Sequence, residues 1–136
     1  MADRYSTVLL FGAPGVGKGT QGSILGSIPN LFHLSSGDMF RMLDVDSELG
    51  QIFYEYSSRG ELVPDDITVQ FWQQNIHAHT VLGLYKPASD LLILDGIPRN
   101  PEQAKRLNEY IEVQKVIHLK CENENAMIQR MRQRAL

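Results

Sequence analysis

One stretch constrains this chain more than any other: Gly12-Ala13-Pro14-Gly15-Val16-Gly17-Lys18-Gly19-Thr20, set between the apolar run 7–11 and a segment of helical composition. The spacing from Gly12 to Gly17-Lys18 is that of a phosphate cradle. In such a loop successive backbone N–H groups converge on an anion and the following helix adds the positive end of its dipole. Side chains would block that approach, and the loop must visit φ > 0, so glycine is the residue that fits. Lys18 supplies an ammonium able to reach outer phosphates. The hydroxyl that usually follows such a lysine is displaced by one position, Gly19 preceding Thr20, which weakens the case for direct hydroxyl ligation of Mg²⁺. A ligand-free glycine turn would leave the lysine unexplained. A dinucleotide loop fails on spacing, because Gly15, Gly17 and Gly19 do not make G-x-G-x-x-G.

At 136 residues the chain suits one domain with a sizeable core. The apolar runs are too short to cross a bilayer and the first residues, Met1-Ala2-Asp3-Arg4, carry no signal-peptide pattern, so a cytoplasmic protein without a membrane partner is expected. A single cysteine, Cys121, excludes an internal disulfide and reads as a buried inert thiol. The net charge of −3 argues against nucleic acid held by charge alone.

Strand-like and helix-like stretches alternate, which predicts an α/β fold with a parallel sheet covered by helices. After the strand 7–11 comes a helix at 18–27 with Ile24, Leu25 and Ile28 on its apolar face and Gly22 and Gly26 permitting close packing. A turn at Pro29-Asn30 precedes a strand at 31–34. Asp38, closing the loop Ser35-Ser36-Gly37, is expected to cap a helix at 39–43, and Ser47 another at 48–57. Val63-Pro64 interrupts helix, and Asp65-Asp66 opens a longer one that buries Ile67, Phe71, Trp72 and Ile76, with Trp72 read as core rather than a ligand platform. The strand 91–94 ends on Asp95-Gly96. Pro101, behind Asn100, starts a helix with Ala104, Leu107 and Ile111 inward, followed by a strand at 116–119 and a final helix from about 124.

In open parallel sheets ligands bind beyond the carboxyl ends of the strands, which sets Asp95 beside the cradle, where Mg²⁺ would sit. A turn-forming Asp-Gly would account for the dipeptide alone, but not for its place beside the phosphate loop. Arg41 and Arg99 suit bidentate phosphate contacts, although a lone Arg41 also reads as a solvated helix charge. Asn100-Pro101-Glu102-Gln103 reads equally as a capping box and as a pair of base-recognising polar groups.

Taken together, Gly12 to Gln21, Ser35 to Arg41, Ser47-Glu48-Leu49-Gly50 with Gly60-Glu61-Leu62-Val63, and Leu94 to Arg99 with Gln103 resemble the nucleoside monophosphate kinases, specifically the adenylate kinases, along the whole chain. The resemblance implies a P-loop parallel sheet in three α/β/α layers, residues 1–136 forming the kinase core and 39–66 a small helical flap over the acceptor. It implies phosphoryl transfer from Mg·ATP to AMP. Lys18, Arg41 and Arg99 would be the catalytic cations. Gly12, Ala13, Pro14, Gly15, Val16, Gly17, Lys18, Gly19 and Thr20, with Arg130 and Arg134, would bind ATP. Ser36, Arg41, Leu62, Val63, Gly96, Arg99 and Gln103 would bind AMP, and Asp95 would hold Mg²⁺ through water. The same resemblance implies a cis bond at Ile97-Pro98.

The sequence departs from the family at Ile97, where an aromatic is usual, and at Asn100, which follows the arginine as in uridylate and cytidylate kinases, the alternative assignment. Arg130 and Arg134 also read as a solvated basic helix end. Family members are monomers that continue into a lid and a further strand. A chain of 136 residues is expected to lack both, leaving 116–119 at a sheet edge open to association with another copy, and a nucleotide-binding module without turnover is the other alternative.

Overall fold

The run Leu91-Leu92-Ile93-Leu94 is the centre of the molecule. The computed structural model describes residues 4–12 and 18–120, with 18–20 by backbone, together with 125, 128, 129 and 132. In chain order the elements are β1 (Tyr5–Gly12), α1 (Lys18–Gly26), β2 (Leu31–Ser35), α2 (Ser36–Arg41), α3 (Glu48–Ser58), α4 (Asp65–Val81), β3 (Leu91–Asp95), α5 (Pro101–Leu107) and β4 (Ile111–Leu119). Residues 125, 128, 129 and 132 are helical, in keeping with the expected final helix. Cys121 lies outside the described residues.

All described strands pair in parallel, in the order β2-β3-β1-β4. Parallel strands covered on both faces need apolar residues at every position, which is what the 91–94 run provides. Alternate residues feed two cores. Leu92 and Leu94 of β3 join Leu9, Leu34, Phe71, Trp72 and Ile76 on the face covered by α2 to α5. Ile93 joins Val8 and Leu10 on the other face, under Leu25 of α1. These are the three layers expected. Trp72 is fully buried in the larger core, edge-on to Tyr5, and a buried aromatic of this size contributes roughly 1.5–3 kcal/mol or more by leaving water. Its Nε1 and the Tyr85 hydroxyl are buried without a hydrogen-bond partner among the described residues.

Several sequence expectations need correction. Ile24 and Ile28 are 54% and 46% exposed, so they do not form the packed face of α1. The glycines do: a β-carbon on Gly22 would fall 2.3 Å from Nε2 of His33, and one on Gly26 2.8 Å from its Cβ. The cap of α2 is Ser35, not Asp38. Ser35 has extended backbone angles and accepts from the Asp38 N–H, because β2 runs one residue further than expected and delivers the serine to the cap position. In α5 Ala104 is exposed, and Gln103 and Leu107 face inward one turn apart. Ile111 is buried, but as the first residue of β4 opposite Tyr5, since the chain turns at 108–110. β4 therefore starts well before residue 116. It lies at the edge of the described sheet, with Val113 and Val116 exposed. Two expectations hold without change: Ser47 caps α3, and the Ile97–Pro98 bond is cis.

Candidate functional site

The carboxyl ends of β2, β3 and β1 form one row. Leu10 pairs with Asp95, and Asp95 with Ser35, so the residues just beyond them, at Gly12, Gly96 and Ser36, emerge together. β1 ends on Gly12 and α1 begins at Lys18, the strand and helix that flank the glycine-rich loop. Ala13, Pro14, Gly15, Val16, Gly17, Arg130 and Arg134 lie outside the described residues. Gly19 and Thr20 follow Lys18 in the first turn of α1.

Asp95 is 3% exposed, and its Oδ2 lies 3.2 Å from His33 Nε2. The imidazole is itself seated against Gly22 of α1, and the His33 Cβ against Gly26. The helix, the strand and the carboxylate are thus packed as one unit, a link that the sequence reading missed because His33 sits in an unremarkable strand.

Next to this row a cleft of about 810 Å³ opens between α2, α3 and the loop that follows β3. Ser36, Leu62, Val63, Gly96, Arg99 and Gln103 all line it. Gly96 has φ +85°, and a β-carbon there would fall 2.4 Å from Ser36 Oγ, so glycine is required twice over. Arg99 is held over this point: its Nε donates to Gly96 O at 3.0 Å and its Nη2 to Ser36 Oγ at 3.3 Å. Leu62 is 95% exposed, a large apolar side chain left in water at the mouth of the cleft. Phe40 and Phe53 line the wall and stack edge to face, closing one side with apolar surface.

Arg41 is not among the lining residues. Its guanidinium pairs with the Asp38 carboxylate one turn back. Burial pushes the Asp38 carboxyl up, but hydrogen bonds from Ser35 and Arg41 and the charges of Arg41 and His33 together outweigh it and hold the group below its ordinary value. Asp38 is therefore ionised and keeps Arg41 facing outward from α2.

Asn100 and Gln103 are both tied into the backbone at the start of α5. Asn100 Oδ1 accepts from the Gln103 N–H at 2.8 Å as the cap of α5, while Gln103 Oε1 accepts from the Arg99 N–H at 2.9 Å, one residue earlier than a capping box would have it. Both side-chain amides also donate to Oδ1 of Asp65, a cleft residue that no local sequence signal marks as part of a site. Thr68, one turn into α4, is another such residue.

The chain is similar in sequence to known proteins. A family model described as adenylate kinase matches residues 10–134. The adenylate kinase of Parabacteroides distasonis is 37% identical over 133 residues, 93% of this chain and 66% of that protein. That of Mycoplasma pneumoniae is 36% identical over 125 residues, 90% of this chain and 55% of the relative. That of Dehalococcoides mccartyi strain 195 is 43% identical over 103 residues, covering 75% and 44%. The chain thus spans about half to two thirds of the relatives it matches.

Proposed function

Because the chain belongs to the adenylate kinase family, we propose that it carries the nucleotide sites for phosphoryl transfer from Mg·ATP to AMP, giving two ADP. The observation that carries this reading is the convergence of Ser36, Gly96, Arg99 and Gln103 on one cleft beside the strand ends from which the glycine-rich loop departs.

The reaction leaves little covalent work to the protein; it needs in-line placement and cations around the moving charge. Residues 12–20 would cradle the ATP phosphates with Lys18 as their cation, and Arg130 and Arg134 would add charge on the donor. Arg99 would exchange its internal bonds to Gly96 and Ser36 for the AMP phosphate. Arg41 would have to turn from Asp38 to join it. Leu62, Val63 and Gln103 would take the adenine, with residues 39–66 as the flap that covers it.

A Mg²⁺ ion fits beside the carboxylate of Asp95, at the end of β3. Among the described residues no group of three His, Cys, Asp or Glu side chains could hold an ion by itself, which suits a cation that keeps several waters and takes its other oxygens from substrate phosphates. Asp95 would contact that water shell, and the ion would neutralise charge on the transferred phosphoryl group. No described helix is long and apolar enough to cross a membrane, and the cytoplasm is the compartment proposed.

Asn100, the residue shared with pyrimidine kinases, is accounted for here as a helix cap and a tether for Asp65. A coupled assay for ADP formation with AMP, UMP and CMP tests the reading, and AMP should be the preferred acceptor. Preference for a pyrimidine nucleotide overturns it. Calorimetric binding of ATP and AMP without ADP production replaces turnover by a binding module.

A further inference from the structure

We infer that Asp65 is a specificity-determining positioning residue: it fixes the orientation of the Gln103 side-chain amide, and so lets the cleft tell an aminopurine monophosphate from the oxopurine of the same shape. The inference rests on the reading above that Gln103 faces the acceptor base.

Gln103 is 7% exposed and lines the cleft. Its Oε1 accepts from the backbone N–H of Arg99 at 2.9 Å, and its Nε2 donates to Asp65 Oδ1 at 3.1 Å. A backbone N–H can only donate, and an ionised carboxylate can only accept. Turning the amide over would set its NH₂ against an N–H and its oxygen against a carboxylate. Asn100 is fixed by the same logic. Its Oδ1 faces the Gln103 N–H at 2.8 Å, so its Nδ2 must face Asp65, which it reaches at 3.0 Å. The four residues form a ring of hydrogen bonds with a single polarity, anchored by two backbone donors and closed by one acceptor, Asp65.

Each of the two bonds of the Gln103 amide uses one hydrogen or one lone pair, and the group has a second of each. A base in the cleft therefore meets a donor and an acceptor in fixed order. Adenine offers an amino donor beside a ring-nitrogen acceptor; hypoxanthine offers a carbonyl acceptor beside an N–H donor in the same places. A glutamine free to turn over matches either base. A locked one matches one and leaves the other with two opposed pairs, the kind of mismatch by which a hydrogen-bonding site rejects an isostere.

The test compares the full chain with Asp65→Ala, Asp65→Asn and Asn100→Ser, the last retaining a cap residue while removing the tether. Dissociation constants for AMP, IMP and ribose 5-phosphate are measured by calorimetry, with circular dichroism to identify any variant that fails to fold. Wild type should favour AMP over IMP. In Asp65→Ala the AMP-to-IMP ratio should fall about tenfold, a change expected when one fixed hydrogen bond stops discriminating, while ribose 5-phosphate binding holds. Asn100→Ser should lower the ratio by less. A general loss of pocket structure would weaken all three ligands alike and leave the ratio unchanged, and that outcome overturns the inference. Should Asp65→Ala not fold, the ratio in Asn100→Ser decides, and an unchanged ratio there counts against it, whereas Asp65→Asn, whose Oδ1 can still accept both bonds, should keep the wild-type ratio. A wild-type chain that binds AMP no better than IMP removes instead the premise that Gln103 reads the base.

Discussion

Gly96 and Ser36 meet so closely that no side chain can stand between them: a β-carbon on Gly96 would lie 2.4 Å from Ser36 Oγ, at a backbone φ of +85°. This contact joins the end of β3 to the start of α2, and Arg99 is bonded to both residues. Gly96→Ala should destabilise the chain by about 1–2 kcal/mol for its left-handed backbone, and by about 1–3 kcal/mol more for the overlap. Gly60 supplies the control, since it has φ +67° and nothing within 4 Å of a β-carbon. Denaturant melts of both variants separate the terms; equal losses would mean that the contact with Ser36 relaxes freely.

The seat of His33 predicts a change of sign. Alanine normally stabilises a helix over glycine by about 1 kcal/mol. At Gly22 it should instead cost about 1–3 kcal/mol, because the new methyl would displace a part-buried imidazole from Asp95. In a His33→Ala background the same Gly22→Ala change should become stabilising. Urea unfolding of the four proteins in this cycle measures the coupling, and additive effects would rule it out.

Tyr85 is fully buried and its hydroxyl has no hydrogen-bond partner among the described residues. Desolvation, aided by Tyr5 and Asp90, pushes its pKa up to about 12, against about 10 for an exposed tyrosine. Between those values the folded chain keeps a proton that the unfolded chain has lost, so stability is intact below pH 10 and falls as pH rises towards 12. Tyr85→Phe should remove this alkaline loss. At neutral pH it should leave stability unchanged or raise it by about 1 kcal/mol, since an unsatisfied hydroxyl is taken out of the core. Thermal melts across the alkaline range give both results; an unchanged alkaline slope in the variant would deny Tyr85 the role.

Lys18→Ala should lower phosphoryl transfer by ~10²–10³-fold, the usual worth of a donor aimed at developing charge. Folding should survive, as measured by unchanged circular dichroism and melting temperature. Full activity in the variant would remove the glycine-rich loop from the reaction.

The layered sheet and the strand ends were legible because their signals are local. The run 91–94 is apolar at every position, and the spacing of Gly12, Gly17 and Lys18 needs no partner elsewhere in the chain. What was misread depends on distant residues. Nothing near Gly22 says that its bare face, rather than Ile24 and Ile28, meets the sheet, because the partner His33 arrives on another element. Ile111 lies four residues after Leu107 and so mimics the next position on a helix face, although it begins a strand. Ser35 and Asp38 can both cap, and only the length of β2 decides between them. Asp65 was invisible as a site residue for a related reason: its partners Asn100 and Gln103 follow α4 and β3 in the sequence.

Among the described residues the two faces of the sheet are unequally filled. The larger core, with Trp72, Phe71, Phe53 and Tyr85, lies under α3 and α4, whereas α1 rests on Val8, Leu10 and Ile93 through Leu25 and on His33 through Gly22 and Gly26. Local opening follows the amount of apolar surface that must be exposed. Backbone amides of α1 should therefore exchange with deuterium well before those of α4. The helix that begins at Lys18 belongs to the side of the molecule with the least folding free energy to spare, so an anion bound at its start would slow exchange there first and leave α4 almost untouched.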